Sequence, residues 1–509
     1  MNRYKILLIL LITSSLFCAE IDRGDARKVA NNVFTKFNKN KTDLFKVKKL
    51  EIVESDKKEP LFYIFNLSPI GFVIVSGEDK TLPVLAYSFE NEFKNENMPI
   101  NLQSIFNGYK KQIQDIKTSN ESRREDVINS WGEFLSDNIS DDESRNVNPL
   151  INAKFDQGGA WNNLVQSEIG YNAPVGCVAV AMSQVMHYWQ YPYVGEGSNS
   201  YSDDGLSLEA DFASSYYDFD SMPATYASNA SRLLLFHTGV SVNMDYDPSG
   251  SGAWVLGSYP STEHAMEYNF KYHSNIYHMY KTSNNDDIFL DAIKTDLDDS
   301  MPVIMVGYGS GYGGGHAWNI DGYQGNSLHC NWGWGGSSNG YYSLTSMGGF
   351  PDDQAVLLNI IPRDIENPIS LFEYTVDAST VYFTDLSSIV NEDELRNYYW
   401  NFGDGTTETT TSGEISHTYL FSGSYNVELT VENIYGMMSE PFSEVITVYA
   451  AEQGDLNQDA SVDVLDIIIL VNFILGGDPS DSEIFIGDLN SDNVLNIQDI
   501  ILLVNIILG

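Results

Sequence analysis

The strongest constraint in this chain lies at its end, where one motif is written twice. GDLNQDASVDVLDIIILVNFILGG, starting at Gly454, returns as GDLNSDNVLNIQDIILLVNIILG, starting at Gly487. Each copy is an acidic loop running into an apolar helix, and neither can bury its apolar face alone, so the two must pack together. An oxygen-ligand calcium loop presents donors at positions 1, 3, 5, 7, 9 and 12, the seventh through its main-chain carbonyl. The first copy supplies Asp455, Asn457, Asp459, Ser461, Asp463 and Asp466, and the second Asp488, Asn490, Asp492, Val494, Asn496 and Asp499. Such crowded carboxylates repel one another without a cation, so Ca²⁺ is the expected ligand. Position 6, where a sharp turn favours Gly, is Ala460 in one copy and Asn493 in the other. Asn tolerates left-handed backbone better than Ala, which makes the first loop the weaker site.

The two loops, each followed by one helix and closed by Asp, resemble a dockerin over residues 454–509. That resemblance implies docking onto a cohesin-like partner. The Val464-Leu465 and Ile497-Gln498 pairs depart from the Ser/Thr-rich recognition pairs of the family.

At 509 residues the chain needs several cores. It opens with MNRYKILLILLITSSLFCAE, two positive charges followed by an apolar run and small residues. Residues 1–19 read as an export signal; the bulky Phe17 before Cys18 fits a lipoprotein signal poorly. No later apolar run reaches the roughly 20 residues of a membrane span.

Charge divides the remainder. Of 28 basic and 70 acidic residues, 21 and 22 lie at or before Arg145, leaving 7 and 48 beyond it. So anionic a majority argues against nucleic-acid binding, which needs Lys and Arg at the phosphates, and suits an extracellular, calcium-rich setting. Residues 20–146 combine a helical pattern (Ala26 to Phe37) with strand-like PLFYIFNL, GFVIVSG and TLPVLAYS, and end in the polar stretch Thr118 to Asn146, read as an exposed, cuttable linker. Residues 147–362 turn to Gly, Tyr, Trp and Asn. Residues 367–449 are all-β: Tyr425, Val427, Leu429 and Val431 alternate onto one face, as in an immunoglobulin-like sandwich. The WNFGDG…HTYLFSGSYNVELTVEN pattern from Trp400 to Asn433 resembles a PKD domain.

Only Cys177 and Cys330 follow the signal, too few for a disulfide framework. CVAVAMSQVMHYW lacks Gly and Pro after Gly176 and reads as a buried helix from Cys177 to the Tyr191-Pro192 stop. A lone Cys on an apolar helix can be inert core. At a helix N-terminus it can also be a nucleophile, because the dipole and free N–H groups favour thiolate.

A nucleophile needs a base. His187 lies too far down the same helix, His417 belongs to the sandwich, and His237, His264, His273 and His278 have ordinary surroundings. In GYGSGYGGGHAWNIDGYQGNSLHCNWGWGG a glycine-rich loop delivers His316 to the start of a strand. A second strand ends near Asn331, beside Trp332 and Trp334. The amide can fix the imidazole tautomer and the indole can shield it. His329 competes, although it alternates with Leu328 and Cys330 inside a strand. For the oxyanion, the Cys177 N–H is one donor, and Gln157 in KFDQGGAWNN is an upstream option.

FDQGGAWN, GCVAVAMSQVMHYWQYP and GGGHAWNIDGYQGNSLHCNWGWGG, in that order, resemble the streptopain family of secreted bacterial cysteine proteases. The resemblance implies a papain-like α+β fold, proteinaceous substrates and no catalytic cofactor. By position it implies Cys177 as nucleophile, His316 as base and acid, Gln157 at the oxyanion, and Asn331 and Trp332 as support. LFYIFNLSPIGFVIVSGEDKTLPVLAYS is similar to the family's inhibitory propeptide, which implies an α+β zymogen clamp over residues 20–146. The expectation is thus a multidomain secreted zymogen: signal, propeptide, protease, PKD-like sandwich and a small all-α dockerin-like module. A non-catalytic adhesin and a Cys-His amidase acting on cell-wall peptides are the rival readings.

Overall fold

The computed structural model describes residues 20–38, 44–93, 100–119, 122–137, 146–282, 285–308, 315–343, 352–377, 379–389, 395–420, 423–448, 452–459 and 461–509. The expected signal with Cys18, the glycine-rich run before His316 and Ala460 lie outside them. Two compact units result, one up to Arg363 and one from Asp364 onward.

In the first unit the helix Arg23–Phe37 and the strands Pro60–Leu67, Phe72–Ser76 and Val84–Ser88 fall where the sequence pattern puts them. All three strands are buried along their whole length. Such strands need a covered surface on each side. One face packs on Val29, Val33 and Trp131. The other packs on Phe106, Tyr109 and Ile113 of the helix Ile100–Thr118.

These N-terminal strands do not form a separate sheet. Val84–Ser88 pairs antiparallel with Gly340–Ser343, Tyr87 opposite Tyr341 and Ala86 opposite Tyr342. From there the sheet runs on through Ser327–Asn331, Gly315–Gln324, Val303–Tyr308, Asp352–Leu358 and Tyr277–Tyr280, to eleven strands among the described residues. One core follows the continuous sheet: Phe62, Ile64 and Ile74 cluster with Trp318, Cys330, Trp332 and Tyr342.

The stretch Thr118 to Asn146 departs from a plain exposed linker. Residues Glu125–Phe134 form a helix that buries Val127, Trp131 and Phe134. Their spacing of four and three puts them on one helical face, and the Trp131 indole donates to the Thr81 carbonyl at 2.8 Å. Glu125 and Asp126 sit in the first turn, where the helix dipole favours acids. Charge dominates the composition of this segment and hides a narrow apolar stripe. Residues 138–145 lie outside the described residues. Asn146 and Val147, on either side of the expected boundary, form one short strand against Gln324 and Tyr323.

The helix Cys177–Trp189 begins at the cysteine, buries every residue from Cys177 to Met186, and ends at Gln190 in left-handed geometry. Gly176 enters it at φ 96°, and a Cβ there would meet the Met244 sulfur at 2.6 Å. The positive φ calls for glycine at that position, and the Met244 contact adds to it.

In the second unit two antiparallel sheets, one of three and one of four strands, enclose Phe383, Trp400, Val427, Leu429, Val431 and Ile446. Val427, Leu429 and Val431 face inward as the alternation predicts. The helices Val464–Ile474 and Ile497–Leu508 of the repeat share a small core of Leu456, Leu470, Ile486 and Leu503. A third short helix, Asp481–Gly487, lies between the copies; the repeat pattern gave no sign of it.

Candidate active site

The nucleophile helix and the base strand meet at the cysteine. The Ala317 N–H donates to Cys177 Sγ at 3.4 Å, which sets the residue after His316 against the sulfur. Burial pushes the thiol up from its ordinary value, partly offset by N–H groups of Ala317, Val178 and Cys177 itself. The Val178 and Cys177 N–H groups are the helix-start donors expected of a nucleophile position, and the Ala317 N–H adds one from the base strand.

His316 is buried on the strand Gly315–Gln324. Its Nε2 lies 3.1 Å from the Trp332 carbonyl. A carbonyl only accepts, so Nε2 carries the proton and Nδ1 is the basic nitrogen. Burial lowers the imidazole to about 4, with the Trp332 carbonyl acting in the opposite direction. Three indoles enclose the ring: Trp334 at 4.8 Å, Trp318 at 6.0 Å and Trp332 at 6.1 Å between centroids, all near-parallel. Both shifts favour the neutral thiol and the neutral imidazole over the ion pair.

Asn331 sits one residue before the carbonyl that holds His316. Its amide donates to the Ala153 carbonyl at 2.9 Å, and its Oδ1 accepts from Gln184 and from the Gly333 N–H. The sequence reading gave Asn331 to the imidazole; here the Trp332 carbonyl bonds Nε2. Gln157 is half-buried, and its carbonyl accepts from Val175, two residues before the nucleophile. Asp156, raised by burial, accepts from the Gly158 N–H at 2.8 Å and shapes that loop.

His329 belongs to another arrangement. Its Nδ1 lies 2.6 Å from the buried Asp321 carboxylate, which also accepts from the Ile151 N–H. His187 bonds the Met222 carbonyl, His237 the Tyr217 hydroxyl and His278 Glu263. Cys330 is free and wholly buried. The sequence reading missed Gln184 and Asn319. Their signal in the sequence was a polar amide within a run of buried positions, Gln184 on the helix and Asn319 on the strand.

The N-terminal strands reach this neighbourhood. Tyr87 stacks between Phe37 and Tyr341, at 5.0 and 5.1 Å, and donates to Gln324 Oε1 at 2.8 Å. Asn91 donates to the carbonyl of Asn339, whose side chain accepts the Trp332 N–H.

The two acidic loops share most of their main-chain bonds. Asp466 accepts from the N–H groups of Asn457 and Asp463, and Asp499 from those of Leu489, Asn490 and Asn496. Asp455 accepts from Asp459, and Asp488 from Asp492 and Asn493. Asp455, Asp466, Asp488 and Asp499 are all buried, and buried carboxylates demand compensating positive charge. Among the described residues no three Asp, Glu, His or Cys side chains form a metal cluster by themselves. The set that fits a hard cation is mixed, with Asn457, Asp459, Asn490 and Asp492 and the oxygens of Ser461 and Val494. Asp463 and Asn496 use their side-chain oxygens as helix caps. Asn493 takes the left-handed turn at φ 62°.

Comparison with known proteins places these parts. Residues 155–342 match the Peptidase C10 family, 18–113 the Spi protease inhibitor, 371–448 the PKD domain and 453–508 the Dockerin type I domain. Streptopain of Streptococcus pyogenes serotype M28 (strain MGAS6180) is 29% identical over 340 residues, covering 59% of this chain and 80% of that protein. The thiol protease/hemagglutinin PrtT of Porphyromonas gingivalis is 27% identical over 404 residues, covering 72% and 44%. A solved fragment of Prevotella intermedia prointerpain A, a cysteine-to-alanine mutant, is 23% identical with a TM-score of 0.49, covering 61% of this chain and 97% of the fragment.

Proposed function

We propose, from the premise that this chain is a cysteine peptidase with a papain-like Peptidase C10 domain, that it is a secreted endopeptidase made as a zymogen. Its protease part cleaves proteins through Cys177 and His316. The observation that carries the reading is the Ala317 N–H on Cys177 Sγ, which brings nucleophile helix and base strand together at two neighbouring residues.

In the working enzyme the thiol proton passes to His316 Nδ1, and the thiolate attacks the scissile carbonyl carbon. The tetrahedral oxyanion is held by the Cys177 N–H and the Gln157 amide. Its collapse expels the amine, which takes the proton from His316, and leaves a thioester. Water, deprotonated by His316, then hydrolyses the thioester. Asn331 and Trp332 orient and shield the imidazole.

The burial of Cys177 and His316 supports latency. The raised thiol and lowered imidazole disfavour the ion pair that attack requires. The N-terminal segment, which the Spi inhibitor match covers, completes the sheet beside the site and must leave for substrate to enter. Residues 1–19 direct export, and residues 454–509 dock the enzyme on a cohesin-like partner at a cell surface or extracellular assembly. Ca²⁺, when bound, neutralises the loop carboxylates and holds the two helices together. Among the described residues no helix is long and apolar enough to cross a membrane.

Trimmed enzyme should hydrolyse casein, and a thiol alkylator or Cys177→Ala should abolish this. Casein hydrolysis that survives both would overturn the reading.

A further inference from the structure

Three buried side-chain amides join the nucleophile helix to the two strands beneath it. Asn319 and Asn331 face each other across the pairing of Gly315–Gln324 with Ser327–Asn331. Gln184, seven residues after Cys177 and so on the same face of the helix two turns on, reaches both. Gln184 and Asn319 have no exposed surface, and Asn331 has 1%.

Two peptide carbonyls fix the polarity of the whole set. Asn319 Nδ2 donates to the Ala181 carbonyl at 3.2 Å and to Gln184 Oε1 at 3.0 Å. The oxygen end of Gln184 is therefore turned to Asn319. Its Nε2 donates to the Ala153 carbonyl at 2.8 Å and to Asn331 Oδ1 at 3.2 Å. Asn331 Nδ2 donates to the same Ala153 carbonyl. No amide in the chain can flip without setting donor against donor or oxygen against oxygen in a dry interior.

We propose that Gln184, oriented by Asn319, is a positioning residue for catalysis: it locks the Asn331 amide so that Oδ1 is its accepting end, next along the chain to the carbonyl that holds His316. When the site opens, the His316 Nε2–H can move from the Trp332 carbonyl to Asn331 Oδ1, which keeps Nδ1 as the basic nitrogen. With Gln184 removed, Asn331 Oδ1 keeps only the longer 3.4 Å contact from the Gly333 N–H, and the imidazole loses a firmly fixed second acceptor. The inference rests on the proposed roles of Cys177, His316 and Asn331.

The test uses trimmed enzyme from the full chain, with active sites counted by an irreversible thiol titrant. Gln184→Met should lower kcat ~10-fold or more, the scale of a misplaced catalytic group, with KM within about twofold. Asn319→Val, which removes the donor that holds Gln184 Oε1, should lower kcat in the same direction, and it serves as the measurement if Gln184→Met does not fold. In an Asn331→Ala background neither change should cost more, because the group they position is gone. Unchanged kcat per titrated site, or the same fold-loss in both backgrounds, would overturn the proposal. Activity in Cys177→Ala would instead overturn the assignment of the nucleophile.

Discussion

The Ala317 N–H points at the Cys177 sulfur from 3.4 Å, so main chain next to the base holds the nucleophile before any substrate arrives. Cys177→Ala should abolish proteolysis with the fold intact, since the side chain leaves only a small void at a helix start. Cys330→Ser should keep most activity per folded molecule. It buries a hydroxyl whose Leu328 carbonyl partner stands 3.9 Å from the sulfur, and should cost about 1–3 kcal/mol of stability. Thermal melts and casein assays on both variants separate the two thiols, and equal loss of activity in both would remove Cys177 from its role.

Latency has a pH signature. Burial raises the Cys177 thiol and takes His316 down to about 4. Between about pH 4 and the ordinary thiol range the covered site therefore holds neither thiolate nor imidazolium. Alkylation of Cys177 in the uncut protein should be slower at pH 7 than that of a free cysteine, and should rise with pH. Trimming should speed it and make the hydrolysis rate bell-shaped in pH. Equal alkylation rates before and after trimming at pH 7 would contradict this.

Tyr87 closes the seam between the N-terminal strands and the rest of the sheet. Tyr87→Phe keeps its stacking on Phe37 and Tyr341 and deletes the hydrogen bond to Gln324. A lost bond of about 0.5–1.5 kcal/mol favours the open state ~2–13-fold, and Cys177 alkylation in the uncut protein should quicken by that factor. Unchanged alkylation would mean that the site opens without parting this pair of strands.

Trimming should fall within a narrow window. The helix Glu125–Phe134 buries Trp131 and Phe134, and Asn146–Val147 is paired into the sheet. Backbone held in this way is poorly presented to a protease. Full-length Cys177→Ala should accumulate uncut. Added active enzyme should cut it between Asp137 and Asn146, read by mass spectrometry of the products. A first cut inside the helix, or only near residue 450, would count against a propeptide ending there.

Local pattern made much of this legible. The nucleophile helix follows from an apolar run without Gly or Pro, the three buried N-terminal strands from short apolar runs, and the inward face of the sandwich from alternation, each within a single segment. Pairings between distant segments did not. Nothing near Tyr87 indicates that its strand continues the sheet at Tyr341, because strand edges carry no address in their own sequence. The helix at Glu125–Phe134 was hidden by its charged neighbours, although Val127, Trp131 and Phe134 stand at helical spacing. Gln184 and Asn319 gain meaning only when helix and strands meet, since an amide's role is set by the partners its two ends find.

Calcium gives the last test, because the two loops share one donor spacing and differ at the turn position, Ala460 against Asn493. Asn493 adopts the left-handed turn at φ 62°. Ala at the same position of the first loop would bear a steric cost of about 1–2 kcal/mol there. In the full-length Cys177→Ala protein, calorimetry should resolve two sites, the weaker by roughly 5–30-fold. Asp499→Ala should remove the tighter one, because Asp499 is buried and closes its loop through three main-chain N–H groups. Asp466→Ala should remove the weaker. Chelator should lower the melting of the C-terminal helices by removing the ligand of their folded state, and leave casein hydrolysis by the trimmed enzyme unchanged. Two equal sites would mean that position 6 does not set affinity. C-terminal helices indifferent to chelator would mean that the buried carboxylates are held by their N–H groups alone.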